Sequence, residues 1–586
     1  MRDWCDGISK RLPHALHVSI SSIRTMRSRT FPNSTRSRSF APGGSRPCLA
    51  DHTSTRTPRS PARASSTRGR GAAAEGLEGS GWGCYTARGR VKDVTDPRSA
   101  PRPPLPAWAR GADILTFALL GLGVLVAAFG GARLHLFGAR LSLTSPWRVL
   151  VWAVLVAALR HAIVGRDPIY RRLADGVRAG DRTAVFSRVW LPFLGTRVPV
   201  LLVAYFAVLT IGYPMGEPPN RVSSNELVNL MSRWDAGWYL GIAGNGYSWS
   251  EAARPEVQQN IVFFPAYPML MRLVGRLVGS RLLLAGLLVS LVTFFAALCY
   301  LFRLARQWLD DEQAVTALWL LASYPFALFF SAAYTESLYL CGAAAAFLHM
   351  HRREWGRAGA WGLLVGLTRP NGCFLSLPLA IVALGHLASN GTGARAARWR
   401  RFAWGEAAVG APPDGVRPAR TAAAGLAAAA MPGVGVLAYS AFIYSLTGDA
   451  LAWARGHAAW GRSYASVSDL VFSRYQYLSG EGLYQYTRSV PTEALYIVAL
   501  LFVLGMTWPV CRRFGFGYGL FLLLNVLPPL AAGGFLSMGR FTAVLFPAFF
   551  ALAVRVSPRA RPAWVAGFGM GQALSASLFF TWRPLY

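Results

Sequence analysis

Apolar runs long enough to cross a bilayer recur from Ala112 onward, a spanning helix needing roughly 20 such residues. Their positions predict helices near 112–130, 147–165, 194–212, 282–304, 313–332, 334–350, 421–446, 492–511, 516–532, 540–555 and 562–580. A further apolar stretch, 358–386, is too long for one comfortable span and is interrupted by Thr368-Arg369-Pro370-Asn371-Gly372. It predicts two short half-helices that go out and return, with Arg369 at the turn. Between 213 and 281 the pattern changes. Leu227, Leu230, Met231, Trp234, Trp238 and Ile242 follow helical spacing and predict a helix lying along the membrane surface over 226–244, with Ser232, Asp235 and Tyr239 in a neighbouring line. A second such helix is expected from Pro268, with Met269, Leu270, Leu273, Val274 and Leu277 on its apolar face, Arg272 and Arg276 opposite, and Gly279 ending it.

The first 110 residues lack this periodicity. They are rich in Arg, Ser, Pro and Gly, which predicts a disordered tail, followed by a two-helix membrane module over 111–190 and a larger membrane domain over 191–586. No apolar core of signal-peptide type follows Met1, so no cleaved leader is expected.

Composition strengthens the membrane reading. Of the 586 residues 53% are hydrophobic, too many for a soluble multidomain protein and too evenly spread for a single anchor. The net charge of +33 would suggest nucleic acid in a soluble chain. Here the arginines gather in the tail and in short loops between apolar runs, as membrane orientation requires, so no nucleic-acid partner is expected. Arg352, Arg353 and Arg357 precede the interrupted segment and Arg395, Arg398, Arg400 and Arg401 follow it. Positive loops stay cytoplasmic. That rule gives about 13 passes with a cytoplasmic N-terminal tail, and places the long loops 213–281 and 447–490, with Arg369, outside. Cys299, Cys341, Cys373 and Cys511 lie in apolar runs without paired ligand spacing and read as packing residues.

Five blocks then carry a family pattern: RWDAGWYLGIAGNGY (233–247), NIVFFPAYP (260–268), SYPFALFFSAAYTESLYL (323–340), GLTRPNG (366–372) and SMGRFTAVLFPAFF (537–550). Their order and separation resemble the phosphatidylinositol-glycan class V (GPI mannosyltransferase II) family and its bacterial relatives, over about 190–560. The resemblance implies an all-α polytopic membrane protein built as a C-type glycosyltransferase-like helix bundle, with interfacial helices in the first large external loop. It also implies an enzyme that moves a sugar, mannose in this family, from a polyprenyl-phosphate donor to a hydroxyl of a glycolipid, glycan or protein acceptor, with inversion. The matching site positions are Asp235 as catalytic residue and Arg369 and Arg540 as donor-phosphate ligands. The Arg- and Ala-rich composition looks bacterial, which points to a plasma membrane, and the resemblance implies a site on its external face.

Residue chemistry runs alongside. Glycosyl transfer to a hydroxyl needs a base for the acceptor proton, and Asp235 is the best-placed carboxylate. Its competing role is to pair with Arg233 or to cap a turn. The leaving group is a lipid phosphate, which an arginine such as Arg369 or Arg540 would receive; each could instead anchor at the headgroups. Glu336, in an apolar neighbourhood, could bind hydroxyls or hold an arginine. Glu226, Trp234, Tyr239, Tyr247, Asn260 and Asn371 complete the candidate substrate-binding set, although an aromatic belt would also explain the rings. No glycine fingerprint follows a strand, which disfavours a sugar-nucleotide donor. No carboxylate–histidine cluster appears near Asp235, and neither metal nor cofactor is expected. The alternative class is a transporter or lipid-linked sugar flippase. Such proteins show internal repeats and paired broken helices, whereas only one broken segment is visible here.

Overall fold

The computed structural model describes residues 106–129, 132–136, 139–143, 146–164 and 181–585, apart from short gaps at 215, 217, 219, 251–256, 389–392, 407–417, 463 and 465. The expected tail therefore lies outside the described residues except for its last few, which begin the first helix. That helix, α1 (Ala107–Phe129), is followed by a hairpin of β1 (Ala132–Leu136) and β2 (Ala139–Leu143) and by α2 (Pro146–Ile163). The hairpin departs from the all-α expectation. Its alternating Arg-Leu-His-Leu and Arg-Leu-Ser-Leu has the two-residue period of a strand pair, register Ala132 to Leu143. A buried Arg160–Asp113 ion pair of 2.8 Å joins α2 to α1.

Next come α3 (Asp181–Thr210), α4 (Glu226–Asn229), α5 (Ala236–Asn245), α6 (Ala266–Leu277), α7 (Leu282–Ala305), α8 (Asp311–Ser323), α9 (Glu336–His351), α10 (Trp355–Gly366) and α11 (Ser376–Ala388). The chain continues through α12 (Ala394–Trp404), α13 (Pro418–Thr447), α14 (Ala452–Gly456), α15 (Val467–Ser489), α16 (Pro491–Phe514), α17 (Phe516–Gly533), α18 (Met538–Ala543), α19 (Phe546–Arg555) and α20 (Arg561–Phe580). The domain boundary expected at 190 falls within α3.

Six of these helices contain segments long and apolar enough to cross a membrane: Val185–Thr210, Leu282–Ala305, Ala423–Thr447, Pro491–Phe514, Phe516–Gly533 and Arg561–Phe580. They present Val292, Leu437, Val498, Trp508 and Met570 outward, each more than half exposed. A soluble protein does not leave such a surface to water, so the chain is a multipass integral membrane protein. The remaining passes of the expected 13 would have to use shorter helices.

At the centre stands α9, buried on every face from Glu336 to Met350. An all-round apolar helix belongs inside a bundle. Its one acidic residue, Glu336, sits in the first turn, where the helix dipole favours a negative charge. The interrupted segment has the expected break. At 12 and 13 residues, α10 and α11 are half-length helices, and Arg369 between them is extended (φ −164°) before a 3-10 turn at Pro370–Leu375. Gly366 and Gly372 make the tight packing there possible. A Cβ at Gly366 would lie 2.0 Å from the Pro432 carbonyl oxygen of α13, and one at Gly372 would lie 2.3 Å from that of Val365.

Three expected helices are shorter than their hydrophobic pattern. The 313–332 run stops at Ser323 because Tyr324 precedes Pro325 and takes ψ 142°. A 3-10 turn at Ala327–Ser331 follows. The 540–555 run divides into α18 and α19, the second starting with proline in its first turn. The surface helix expected over 226–244 divides into α4 and α5, with Trp234 between them at a left-handed φ of 49°. Ser232, Asp235 and Tyr239 consequently do not share one helix. The next helix, α6, starts at Ala266 and ends before Gly279 (φ 71°). Met269, Leu273 and Leu277 form its exposed apolar stripe, while Arg272 turns inward and donates to the Ala243 carbonyl at 2.7 Å.

Candidate active site

Asp235 sits at the entrance to α5 in an αR conformation, and its carboxylate caps nothing. Its peptide N–H donates to the Tyr334 hydroxyl at 3.1 Å. Arg233 cannot be its partner, because that buried guanidinium donates to the carbonyls of Phe580 (2.7 Å) and Asn229 (2.5 Å) and to the Tyr213 hydroxyl (3.1 Å). These bonds pin the left-handed turn and aim the Asp235 carboxylate elsewhere. Arg540, on α18, donates to Asp235 Oδ2 through Nη1 at 2.7 Å. Both side chains keep about a sixth of their surface accessible, 17% and 16%.

A second ion pair lies behind the first. Arg369 Nη2 is 2.8 Å from Glu336 Oε1 and donates to the Thr335 hydroxyl at 2.6 Å. Glu336 Oε1 is also 4.0 Å from Arg540 Nε, so the carboxylate stands between two arginines. The Arg369 guanidinium lies 4.9 Å from the Tyr339 ring centre, and that of Arg540 lies 5.6 Å from Tyr334. Among the described residues, Glu336 Oε2, Arg369 Nη1 and Arg540 Nε are buried and make no hydrogen bond. Buried polar atoms normally have partners, and the three residues that carry these atoms all line one cavity, a setting that suits a polar ligand.

The cavity measures about 480 Å³, within the range of small-molecule sites. Its lining brings together six of the ten sequence candidates: Asp235, Tyr239, Glu336, Arg369, Asn371 and Arg540. Tyr239 is buried with its ring against Phe263, Tyr267 and Tyr334. Burial raises its pKa, so the phenol stays protonated. Asn371 donates to Asn525 Oδ1 at 2.8 Å, an oxygen that also accepts from the Tyr339 hydroxyl. This pair clamps the turn that carries Arg369.

The other four candidates serve local structure and do not line the cavity. Glu226 accepts from Tyr213 at 2.8 Å and Arg221 at 2.5 Å. Trp234 packs at a tilt against Trp582, 5.0 Å between ring centroids. Tyr247 donates to the Phe263 carbonyl, and Asn260 ties Gly246 to Ser248. A motif residue can thus be framework.

Trp453, His457, Trp460, Arg462 and Tyr464, from the 447–490 segment, form a cavity wall that sequence reasoning missed. Four of them recur at 453, 457, 460 and 464, a helical spacing that could have flagged a shared face. Burial, then Arg462 and Arg540, push the His457 pKa down to about 4. Between that value and the unfolded one near 6.5, the unfolded chain binds the extra proton, so this residue costs stability as pH falls through that window. A His457→Gln protein should therefore lose less thermal stability than wild type between pH 7 and pH 4 in detergent. Parallel curves would contradict it. Among the described residues no group of three or more His, Cys, Asp or Glu is placed to hold a metal ion.

This is a charged, partly enclosed site within a multipass membrane bundle. Residues 182–388 match the family model described as Mannosyltransferase (PIG-V), so over that stretch the chain is similar to the family whose motifs it resembles. The match contains Asp235, Glu336 and Arg369, and stops short of Arg540. The GPI alpha-1,6-mannosyltransferase 2 of Cricetulus griseus is 34% identical over 180 residues, 26% of this chain and 33% of that protein. Its Mus musculus counterpart is 35% identical over 164 residues, 25% and 30%. The aligned stretches thus span about a third of these relatives' length. Among solved structures, the Archaeoglobus fulgidus oligosaccharyltransferase matches over 65% of this chain and 53% of its own, at 14% identity and a TM-score of 0.31. A structure of the archaeal oligosaccharyltransferase AglB from the same organism, in complex with an inhibitory peptide and a dolichol-phosphate, gives 14% identity and 0.30, covering 68% and 56%. At that level the structural likeness carries no inference about site or substrate.

Proposed function

We propose that this protein is a membrane mannosyltransferase that transfers the sugar of a polyprenyl-phosphate donor to an acceptor hydroxyl with inversion. The observation that carries the reading is the Asp235 carboxylate on the cavity wall, 2.7 Å from Arg540 and beside the Glu336–Arg369 pair. In a single displacement the acceptor oxygen attacks the anomeric carbon as the carbon–oxygen bond to phosphate breaks. Asp235 takes the acceptor proton, and the prenyl phosphate leaves with the bonding electrons. Arg540, already beside the carboxylate, is placed to receive the charge that develops on that phosphate. Phe263, Phe264, Trp453, Phe374 and Leu536 supply apolar wall for the lipid or for sugar faces. The acceptor is a glycolipid, glycan or protein hydroxyl.

Incubating the purified protein with radiolabelled polyprenyl-phosphate mannose and a membrane extract of the source organism tests class and donor together. A labelled product is expected; none, with a correctly folded protein, would sink the proposal.

The same reading puts the 213–281 segment and Arg369 on the external face of a bacterial plasma membrane and Arg398 inside. Single cysteines at exposed positions beside residues 245 and 398 would be exposed to an impermeant maleimide in intact cells. Labelling beside 245 alone is expected. The reverse pattern would overturn the orientation.

A further inference from the structure

The arginines of the cavity are not equivalent. Arg369 is matched by Glu336 at 2.8 Å and Arg540 by Asp235 at 2.7 Å. Arg462, on the segment between α14 and α15, has no carboxylate within ion-pair distance among the described residues. Its Nη2 donates to the Ser537 hydroxyl at 3.3 Å, and its guanidinium stands 5.6 Å from the Phe541 ring centre. Arg540 stands 5.8 Å from the same ring. Two cations therefore meet at one aromatic residue, with a single neutral hydroxyl bonded to the unmatched one. Like charges so placed repel in a partly buried site unless an anion joins them. Burial, together with Arg540, lowers the Arg462 pKa to about 10, so it remains charged at neutral pH.

The backbone is shaped around this side chain. At Gly533, the last residue of α17, a Cβ would lie 2.9 Å from Arg462 Nη1 and 3.2 Å from its Cγ. A side chain there would press on the arginine, whereas glycine leaves it room to lie flat against the helix end. The carbonyls there also favour a cation. Arg462 is thus held in place with no carboxylate at ion-pair distance among the described residues, while Asp235, which attracts it from farther off, is already paired with Arg540. Over the cavity lining, three arginines face two carboxylates, Asp235 and Glu336, which leaves a surplus of one positive charge. That surplus matches a singly charged phosphodiester.

We propose that Arg462, backed by Gly533 and Ser537, is the principal ligand for the donor's phosphate, with Arg540 shared between that phosphate and Asp235. The inference rests on the functional reading above and assigns its anion seat. It moves the main phosphate contact away from Arg369, whose charge Glu336 already meets. An anion bound at Arg462 also draws on Arg540, loosening the contact that occupies Asp235 Oδ2, so donor binding readies the base.

Radiolabelled geranyl phosphate, a short-chain prenyl monophosphate, serves as the probe in equilibrium binding to the detergent-purified full chain. Loss of a charge-assisted bond worth about 1.5–3 kcal/mol corresponds to roughly 10–150-fold in affinity. Arg462→Ala should show that loss, Arg462→Lys part of it, and Gly533→Ala a smaller loss with the charge retained. Arg455→Ala, whose side chain is 71% exposed and pairs with Asp449, should bind as wild type. Thermal melting of each variant confirms folding. Unchanged affinity in folded Arg462→Ala, with wild type binding the probe, would overturn the assignment and leave the transferase reading intact. If wild type ignores the short probe but transfers sugar from the full-length donor, the donor KM is read instead, and it must rise by the same factor in Arg462→Ala. A wild-type protein that neither binds prenyl phosphate nor transfers sugar removes the functional reading and this inference together.

Discussion

Asp235→Asn is expected to lower turnover by roughly 10²–10⁴-fold while leaving prenyl phosphate affinity unchanged or higher, since Arg540 is then freer to meet the anion. Asparagine keeps the shape and can still accept a hydrogen bond from Arg540 through its carbonyl oxygen, so the wall of the cavity survives. It cannot take a proton. The pair it replaces is partly open to solvent, at 17% and 16% exposure, and Arg540 retains Glu336 at 4.0 Å, so folding should change little. Single-turnover rates on properly inserted protein, with donor saturating, separate the chemical step from binding. An equal loss of donor affinity and rate would instead make Asp235 a holder of Arg540. Wild-type turnover in Asp235→Asn would remove it as the base altogether.

What the sequence made legible were charges out of place. Asp235, Glu336, Arg369 and Arg540 each stand in or beside an apolar run, and charge there is expensive enough to need a reason. The four come from separate parts of the chain and meet in one cavity. Arg462 escaped notice for the opposite reason. It belongs to a polar loop, where an arginine is ordinary, and its special position depends on Gly533, about 70 residues on. Periodicity likewise ran through breaks that backbone chemistry decides. The apolar spacing of 226–244 is continuous, yet Arg233 fastens the chain to Phe580 and forces Trp234 into a left-handed turn. Pro325 was a readable stop that the length of its apolar run obscured. Tyr247 and Asn260 belong to the motif blocks, and Glu226 stands just before the first of them, yet all three spend their polar atoms on neighbouring loops. The Ala132–Leu143 hairpin carried a two-residue alternation, but so short a pair is masked by the long apolar runs on either side.

The second large effect is expected at the deeper ion pair. The side chains of Glu336 and Arg369 are 1% and 8% exposed, and their contact is 2.8 Å. Taking away one partner leaves the other charge buried, which typically costs about 3–5 kcal/mol. Arg369→Ala should therefore strongly reduce the yield and thermal stability of folded protein, before any question of catalysis arises. Glu336→Gln should do less harm, because the amide can still accept from Arg369 and Thr335 continues to accept at 2.6 Å. The informative comparison is the double variant Arg369→Gln with Glu336→Gln, which removes both charges and keeps hydrogen-bonding groups in place. If the pair is chiefly structural, this protein should recover most of the stability lost in Arg369→Ala and bind geranyl phosphate within a few-fold of wild type. Thermal melting in detergent and equilibrium binding on the same preparations decide it. A stable double variant that has lost prenyl phosphate binding would return the main anion contact to Arg369, whereas a double variant as unstable as Arg369→Ala would show that packing of the guanidinium on Tyr339, 4.9 Å away, matters more than its charge.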